Sequence, residues 1–290
     1  MADQQTTPRS ARFPWLFLGL TYGFSWAIWV PFILSGQTVN RPVPALIVAC
    51  SMPSLVGILL THFTTNRAGR ADFWKRVVGY KLIGLKWYAV IACLFPFLLG
   101  LGLLTDKLFG GTLPPLRGAQ QTLTQPAALA LYIGVNIIGG PLGEELGWRG
   151  FALDRLQNQW NALVASLILG IVWTAWHFPL FYIKGTPQQG MGFGTPLFWF
   201  WSLQVVSLSV LTTWVYNNTH RSILSAVFMH FMFNSTYGII QQDGRPLPTG
   251  TFAANTVMLA IAAVMVVGLW GCKTMTSRDD GREDVRGGHH

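Results

Sequence analysis

The sequence has 290 residues, of which 51% are hydrophobic and only 11% charged, and its formal net charge is +9. Soluble domains carry about 25% charged residues, so this chain has less than half of the charge that a water-facing surface needs. The mean hydropathy of +0.40 points the same way. Composition therefore excludes an ordinary soluble enzyme and predicts an integral membrane protein.

Eight apolar runs approach the length of about 20 residues that a helix needs to cross a bilayer. The fourth run contains Gly139-Gly140-Pro141 and ends at two glutamates. The sequence therefore predicts an all-α integral membrane protein with about eight transmembrane helices. The runs cover residues 14–36, 43–63, 87–105, 126–143, 161–183, 196–216, 222–241 and 252–272.

The distribution of Lys and Arg predicts the orientation of these helices. With the N-terminus in the cytoplasm and eight crossings, 15 Lys and Arg side chains fall on the cytoplasmic side and five on the other. Short loops with more Lys and Arg stay in the cytoplasm, so we expect both termini there. The net positive charge then reflects topology and contact with anionic lipids rather than nucleic acid. The expected location is the plasma membrane of a prokaryote.

The chain divides into four expected segments without an internal repeat. Residues 1–13 form a cytoplasmic N-terminus, and residues 14–125 hold helices 1–3 with a basic cytoplasmic connector at 64–86. Helices 4–8 occupy residues 126–272. The polar residues 273–290 are expected to form a disordered cytoplasmic tail.

Few ionisable side chains lie in the apolar runs, where burying a charge is costly and usually functional. Nine of the eleven acidic residues, including Asp154, lie in predicted loops or tails. The other two, Glu144 and Glu145, end the fourth run, while His177 and His230 lie within later runs. These four side chains are therefore the candidates for chemistry.

The spacing of the polar residues predicts which of them share a helix face. Glu145 and Arg149 are four positions apart, which favours an ion pair. Glu144 points about 100° away and has no such partner, so its carboxyl suits a general acid or base. His230 and Asn234 are also four apart and point toward a shared polar target.

Two chemistries fit this set of side chains. A carboxylate and an imidazole can take a proton from water, while a second imidazole and an amide donate to an oxyanion. Two imidazoles and a carboxylate could instead bind zinc. The sequence contains no HExxH motif. The residues alone leave both chemistries open.

Three short motifs resemble those of the CAAX-prenyl-protease and bacteriocin-processing family, also called the Abi family. They are EExxxR, an aromatic residue followed four positions later by histidine, and HxxxN. They occur in this order on successive apolar segments. Their residues in this chain are Glu144, Glu145 and Arg149, then Trp173 and His177, then His230 and Asn234.

The resemblance implies a membrane endopeptidase whose catalytic core is residues 126–272. Eukaryotic members of the family remove the last three residues of prenylated CAAX proteins. By resemblance, Glu144 would act as acid and base on water together with His177. His230 and Asn234 would bind the oxyanion.

The resemblance also implies that Glu145 and Arg149 support the site, and it leaves the cofactor open. Family members are described both as metalloproteases and as metal-independent glutamate proteases. We favour the mechanism without a cofactor, because the chain has one well-placed carboxylate and two separated histidines. Zinc is the alternative.

The expected partners are the lipid bilayer and a peptide or lipidated protein, with no nucleic acid. Two other functions are compatible with the sequence. One is a non-catalytic membrane scaffold, or an immunity or regulatory protein, of the same fold. The other is a proton-coupled transporter, which is less favoured because the polar residues lie in one half of the chain and no repeat is present.

One geometric difficulty follows from straight helices. Glu144 would lie roughly 27 Å along helix 4, near the cytoplasmic face, and His177 roughly 24 Å from that face along helix 5. We expect residues 149–157 to form an interfacial helix that removes this mismatch. A shared site requires Glu144 and His177 to lie within about 10 Å of each other, so that one water can reach both.

Overall fold

The computed structural model describes residues 14–39, 43–114, 117–240 and 247–276. Within these ranges the chain is helical and contains no strand. Its α-helices are α1 (Trp15–Ser35), α2 (Pro44–Cys50), α3 (Met52–Thr64), α4 (Arg67–Val78), α5 (Leu85–Leu108), α6 (Arg117–Thr124), α7 (Pro126–Ile138), α8 (Pro141–Gly147), α9 (Asp154–Gln157), α10 (Ala162–Trp176), α11 (Pro187–Met191), α12 (Pro196–Asn218), α13 (Ile223–Gly238) and α14 (Thr249–Trp270).

The lengths and hydropathies of these helices confirm an all-α, multi-pass membrane protein. Six helical segments in the described ranges are long and apolar enough to cross a membrane, and α2 with α3 makes up to seven if that bent pair is one span. The seventh predicted run, residues 222–241, corresponds to α13, which has only 16 residues. The count of eight and the cytoplasmic position of both termini remain predictions.

The bent pair α2 and α3 packs closely against α8. Their axes differ by 50°, and the break lies just before Pro53, which has no N–H to bond with the preceding turn. A Cβ atom on Gly57 would lie 2.7 Å from the Cα of Gly147, and one on Gly147 would lie 2.0 Å from the Pro53 carbonyl oxygen. Only glycine permits this approach of two backbones, which fixes α8 and its glutamates against α3.

The fourth predicted run is longer than expected and has a break inside it. The helical segment Pro126–Gln157 includes α7, α8, a π-helical stretch over Trp148–Leu153, and α9. Its break is at Gly140, whose φ and ψ are −152° and −81°. Residues 149–157 therefore continue this segment instead of forming a separate interfacial helix, and Trp148–Leu153 are all buried.

Other expectations from the sequence need correction. Asp154 is not in a loop but begins α9, and Asp106 lies in α5. The start of the predicted disordered tail is ordered, because the Lys273 carbonyl accepts from the Ala162 N–H at 2.8 Å and Met275 is fully buried. Residues 1–13 and 277–290, for which a cytoplasmic terminus and tail are predicted, lie outside the described residues.

Candidate active site

The candidate site lies where α8, α10 and α13 meet, and Glu144 is the first of its two carboxylates. Glu144 lies in the first turn of α8, which Pro141 begins directly after the Gly140 break. Proline suits this position because the first N–H of a helix has no partner within the helix. Glu144 is buried, and its Oε2 accepts a hydrogen bond of 2.6 Å from the Trp173 indole N–H.

Glu145 is the centre of an ionic cluster beside Glu144. Its Oε1 accepts from Arg149 Nη1 at 2.9 Å, and His230 Nδ1 lies 2.9 Å from the same oxygen. Glu145 and Arg149 are fully buried, and His230 is almost so. We call Glu145, Arg149 and His230 the active-site cluster. The i, i+4 pair expected from the sequence is therefore present, with His230 as an additional member.

Trp173 connects this cluster to the other predicted residues. The Arg149 guanidinium lies 4.7 Å from the centroid of its ring, and the His230 ring lies 5.0 Å away at 77°. Trp173 also donates to Glu144 through its indole N–H. One buried aromatic side chain therefore contacts three of the polar groups that the sequence predicts to act together.

His177 lies at the C-terminal end of α10 and shares Trp173 as a partner. Its Nδ1 lies 2.8 Å from the Trp173 carbonyl oxygen, which can only accept, so Nδ1 carries the proton in this contact. The ring packs against Trp176 and Trp201 at centroid distances of 4.6 and 5.3 Å. Nε2 of the neutral ring is then a lone-pair acceptor that can receive a proton.

Asn234 lies on α13 at the same side of the site as Glu144. A Cβ atom built on Gly140 would lie 3.4 Å from Asn234 Nδ2 and 3.8 Å from Glu144 Oε1. Both polar atoms therefore border the space next to Gly140, and a larger side chain there would enter this space. The structure thus places an amide donor and the free oxygen of the carboxylate around one small region.

The side chains do not form a recognisable metal site. No group of three or more His, Cys, Asp or Glu side chains in the described part of the chain is arranged to hold a metal ion. Glu145 already pairs with Arg149, so its carboxylate is not free to bind a metal ion. The residues therefore do not fit the zinc alternative well, and we derive no step through a metal.

Sequence reasoning did not find two features near this site. Trp173 was recognised only as the aromatic residue of a motif, although its indole N–H bonds to the candidate carboxylate. The contact of His230 with Glu145 joins residues 85 positions apart, which helical spacing cannot predict. A buried tryptophan usually finds an acceptor for its N–H, and that rule could have prompted a search for one near Trp173.

Comparison with known proteins identifies relatives of this chain. Residues 126–236 match the family described as type II CAAX prenyl endopeptidase Rce1-like. The chain is also 29% identical over 226 residues to the protein named CAAX prenyl protease 2 of Methanococcus maripaludis, covering 74% of this chain and 78% of that protein. These matches confirm the resemblance drawn from the three motifs, and the segment that matches the family contains the candidate site.

Proposed function

We propose that this protein is an intramembrane endopeptidase that hydrolyses a peptide bond of a membrane-associated, prenylated-type substrate. The observation that carries the proposal is the Glu144 carboxyl, which is buried and held by Trp173 at 2.6 Å. The rings of His177 and His230 lie against the same tryptophan, and Asn234 borders the same space as Glu144 beside Gly140. These side chains lie within the segment that matches the family. The matched relative is named a CAAX prenyl protease, which supports the choice of substrate class.

The proposed chemistry begins with water placed between Glu144 and His177. Trp173 occupies Glu144 Oε2, so Oε1 is the oxygen that remains for the water. Glu144 takes a proton while the water oxygen attacks the peptide carbonyl carbon, and His177 Nε2 accepts the second hydrogen bond of the water. Glu144 then passes the proton to the amine that leaves, so that a carboxylic acid and an amine are released.

The oxyanion requires donors, and we assign them to Asn234 and His230. Asn234 supplies its amide N–H, next to Gly140. His230 Nδ1 faces the Glu145 carboxylate, which can only accept, so Nδ1 is already a donor. His230 would donate to the oxyanion through Nε2, the ring nitrogen that does not contact Glu145. Glu145 is thus a positioning residue for His230.

Cleavage of a fluorogenic prenylated CAAX peptide tests the proposal. Purified protein in detergent is compared with Glu144→Gln and His177→Ala, with and without a chelator. We expect wild type to cleave and Glu144→Gln to lose about 10³-fold in kcat, since positioned acid–base groups contribute about 10²–10⁴-fold. We expect no loss with the chelator.

The other outcomes are equally informative. Loss of activity with the chelator and its return with zinc would replace the glutamate mechanism by metal chemistry. Folded wild type that cleaves neither this peptide nor a panel of other lipidated peptides would contradict the proposal and favour the non-catalytic scaffold. Thermal unfolding of each variant shows whether it is folded in the assay.

A further inference from the structure

A polar cavity in the described residues is separate from the candidate active site. Its volume is about 370 Å³, and it lies between the end of α3, the start of α4, α9 and the turn before α13. This volume falls in the range of about 300–1,000 Å³ that small-molecule sites occupy. Three arginines and two aspartates line it, namely Arg76, Arg155, Arg221, Asp72 and Asp154.

Most of the charged side chains that line the cavity already form ion pairs with one another. Asp154 Oδ2 accepts from Arg76 Nη1 at 3.2 Å and also from Arg221 Nη2, while its Oδ1 accepts from Arg221 Nε at 3.1 Å. Arg76 Nε also pairs with Asp72 at 2.9 Å. Two arginines and two aspartates therefore cancel one another, and Arg155 supplies the remaining positive charge.

Arg155 has no carboxylate within ion-pair distance among the described residues. Its Nη1 donates to the Phe151 carbonyl oxygen at 2.8 Å, and its guanidinium carbon lies 3.4 Å from the centroid of the Phe151 ring. Its Nη2 approaches Thr64 Oγ1 at 3.5 Å. This stacking holds a planar group of donors at the cavity wall, and such a group matches the oxygens of a phosphate.

The start of α4 adds to the positive potential of the cavity. Asn66 and Gly69 line the cavity, and the Asn66 side chain caps this 12-residue helix by accepting from the Gly69 N–H. The first turn of α4 carries no acidic residue that would oppose this effect. Helix N-termini favour anions, and here the effect adds to the charge of Arg155.

The position of the cavity identifies the source of the anion. The spans that end beside it are α3 at Thr64, the fourth run at Gln157 and α12 at Asn218. Ends of membrane-spanning helices lie at the level of the lipid headgroups. Arginines gathered there face phosphate diesters, and basic pockets between helices bind anionic headgroups.

We infer that this cavity binds the phosphate group of an anionic lipid headgroup, with Arg155 as the principal donor. The inference is independent of the proposed peptidase activity. It predicts that the protein selects phosphatidylglycerol over phosphatidylcholine, because the choline group places a second positive charge beside the arginine.

Native mass spectrometry of protein released from mixed nanodiscs tests the inference. The nanodiscs contain phosphatidylglycerol and phosphatidylcholine in equal amounts, and the ratio of the two lipids retained is measured. We expect wild type to prefer phosphatidylglycerol and Arg155→Gln to lose about tenfold of this preference, equivalent to about 1.4 kcal/mol. Arg67→Gln is the matched control, because Arg67 carries the same charge near the same end but does not line the cavity.

A second variant keeps Arg155 and its stacking in place. Asn158→Asp adds a negative charge at an exposed residue of the cavity wall, so we expect it to weaken phosphatidylglycerol retention while the protein stays folded. A third arm adds inorganic phosphate to lipid-depleted protein in detergent. Little stabilisation of wild type by phosphate alone is expected if a lipid is the ligand.

Three results would overturn the inference. One is equal retention by wild type and Arg155→Gln, and another is an equal loss in Arg67→Gln and Arg155→Gln, which would indicate only diffuse surface charge. The third is strong, Arg155-dependent stabilisation by inorganic phosphate together with no lipid preference. That result would assign the cavity to free phosphate and exclude the lipid headgroup as its source.

Discussion

Two clusters of buried charge lie on the same helical segment, roughly 14 Å apart along its axis, and they use their hydrogen bonds differently. The active-site cluster is centred on Glu145. The second, which we call the Asp154 cluster, contains Asp154, Arg76, Tyr216 and Arg221. The two clusters differ in whether their charged side chains bond only to one another, which holds helices together, or leave atoms free to bind a substrate or water.

In the Asp154 cluster both carboxylate oxygens have two donors each. Oδ1 accepts from the Tyr216 hydroxyl at 2.9 Å and from Arg221 Nε, and Oδ2 accepts from Arg76 and Arg221. Arg76 also donates to the Tyr216 hydroxyl oxygen at 2.7 Å. The helices α4, α9 and α12 and the turn before α13 meet at this saturated carboxylate. Removing one partner from such a network leaves uncompensated buried charge, so the cluster stabilises the fold.

The active-site cluster is more deeply buried but incompletely bonded. Glu145 Oε1 receives both donors, whereas Glu145 Oε2, Arg149 Nε and Arg149 Nη2 have no hydrogen-bond partner among the described residues. A buried polar atom without a partner is costly and is expected at functional sites. These atoms can bind water or a peptide group. We propose that incomplete bonding marks a functional cluster, and four variants test this proposal.

The largest expected effect comes from removing the amide beside Glu144. In Asn234→Ala we expect kcat to fall about 10²–10³-fold, because losing one oxyanion donor costs about that much. Cleavage kinetics of the fluorogenic peptide measure this change. Asn136→Ala is the control, since Asn136 is also half-buried but donates to the Tyr132 carbonyl oxygen within α7. Equal losses in the two variants would contradict the assignment of Asn234.

The second variant breaks the saturated cluster. In Asp154→Asn we expect the free energy of unfolding to fall by about 3 kcal/mol, because Arg76 and Arg221 lose a shared buried counter-charge. Unfolding by heat or SDS in detergent measures the loss. We expect kcat per folded molecule to stay within about twofold, since each tenfold change requires about 1.4 kcal/mol in the barrier. A large fall in kcat with unchanged stability would reverse the roles of the two clusters.

The helical repeat and the polar residues within apolar runs predict much of the candidate site. Polar residues in apolar runs identified the three helices of the site, and spacing of four predicted the Glu145–Arg149 contact, which forms at 2.9 Å. The roles proposed for Glu144, His177, His230 and Asn234 stay predictions. Such local rules succeed because neighbours on one helix face are determined by the chain itself.

Contacts between distant segments could not be predicted in the same way. Asp154 follows an apolar run and is followed by polar residues, so it resembles a loop residue in sequence. Its burial depends on Arg76 and Tyr216, which belong to other helices, and on Arg221 in the turn before α13. These residues lie up to 78 positions away. The π-helical stretch before it, Trp148–Leu153, changes which side chains share a face and has no simple sequence signal.

The third variant removes one N–H from the active-site region. In Trp173→Phe we expect kcat to fall about tenfold with KM nearly unchanged, because a hydrogen bond to a charged group contributes about 1.5–3 kcal/mol. Trp176→Phe is a matched control on the same helix, since its indole donates to Ser25 Oγ at 3.0 Å and not to a carboxylate. UV resonance Raman spectra of the indole show whether the Trp173 hydrogen bond is present and whether Glu144→Gln alters it. Equal kinetic losses in Trp173→Phe and Trp176→Phe would assign Trp173 to packing alone.

The smallest effect is expected at the exposed edge of the Asp154 cluster. Asp72 pairs with the same arginine as Asp154, but its side chain is 53% exposed against 17% for Asp154. In Asp72→Asn we expect the free energy of unfolding to fall by less than about 1 kcal/mol, as exposed ion pairs contribute about 0–1 kcal/mol. The loss should shrink further at high salt, which screens exposed charges more than buried ones. If Asp72→Asn instead destabilised the protein as much as Asp154→Asn does, the number of partners of Arg76 would matter more than burial of the carboxylate. In that case, a carboxylate with all its hydrogen bonds made would no longer distinguish the Asp154 cluster from the active-site cluster.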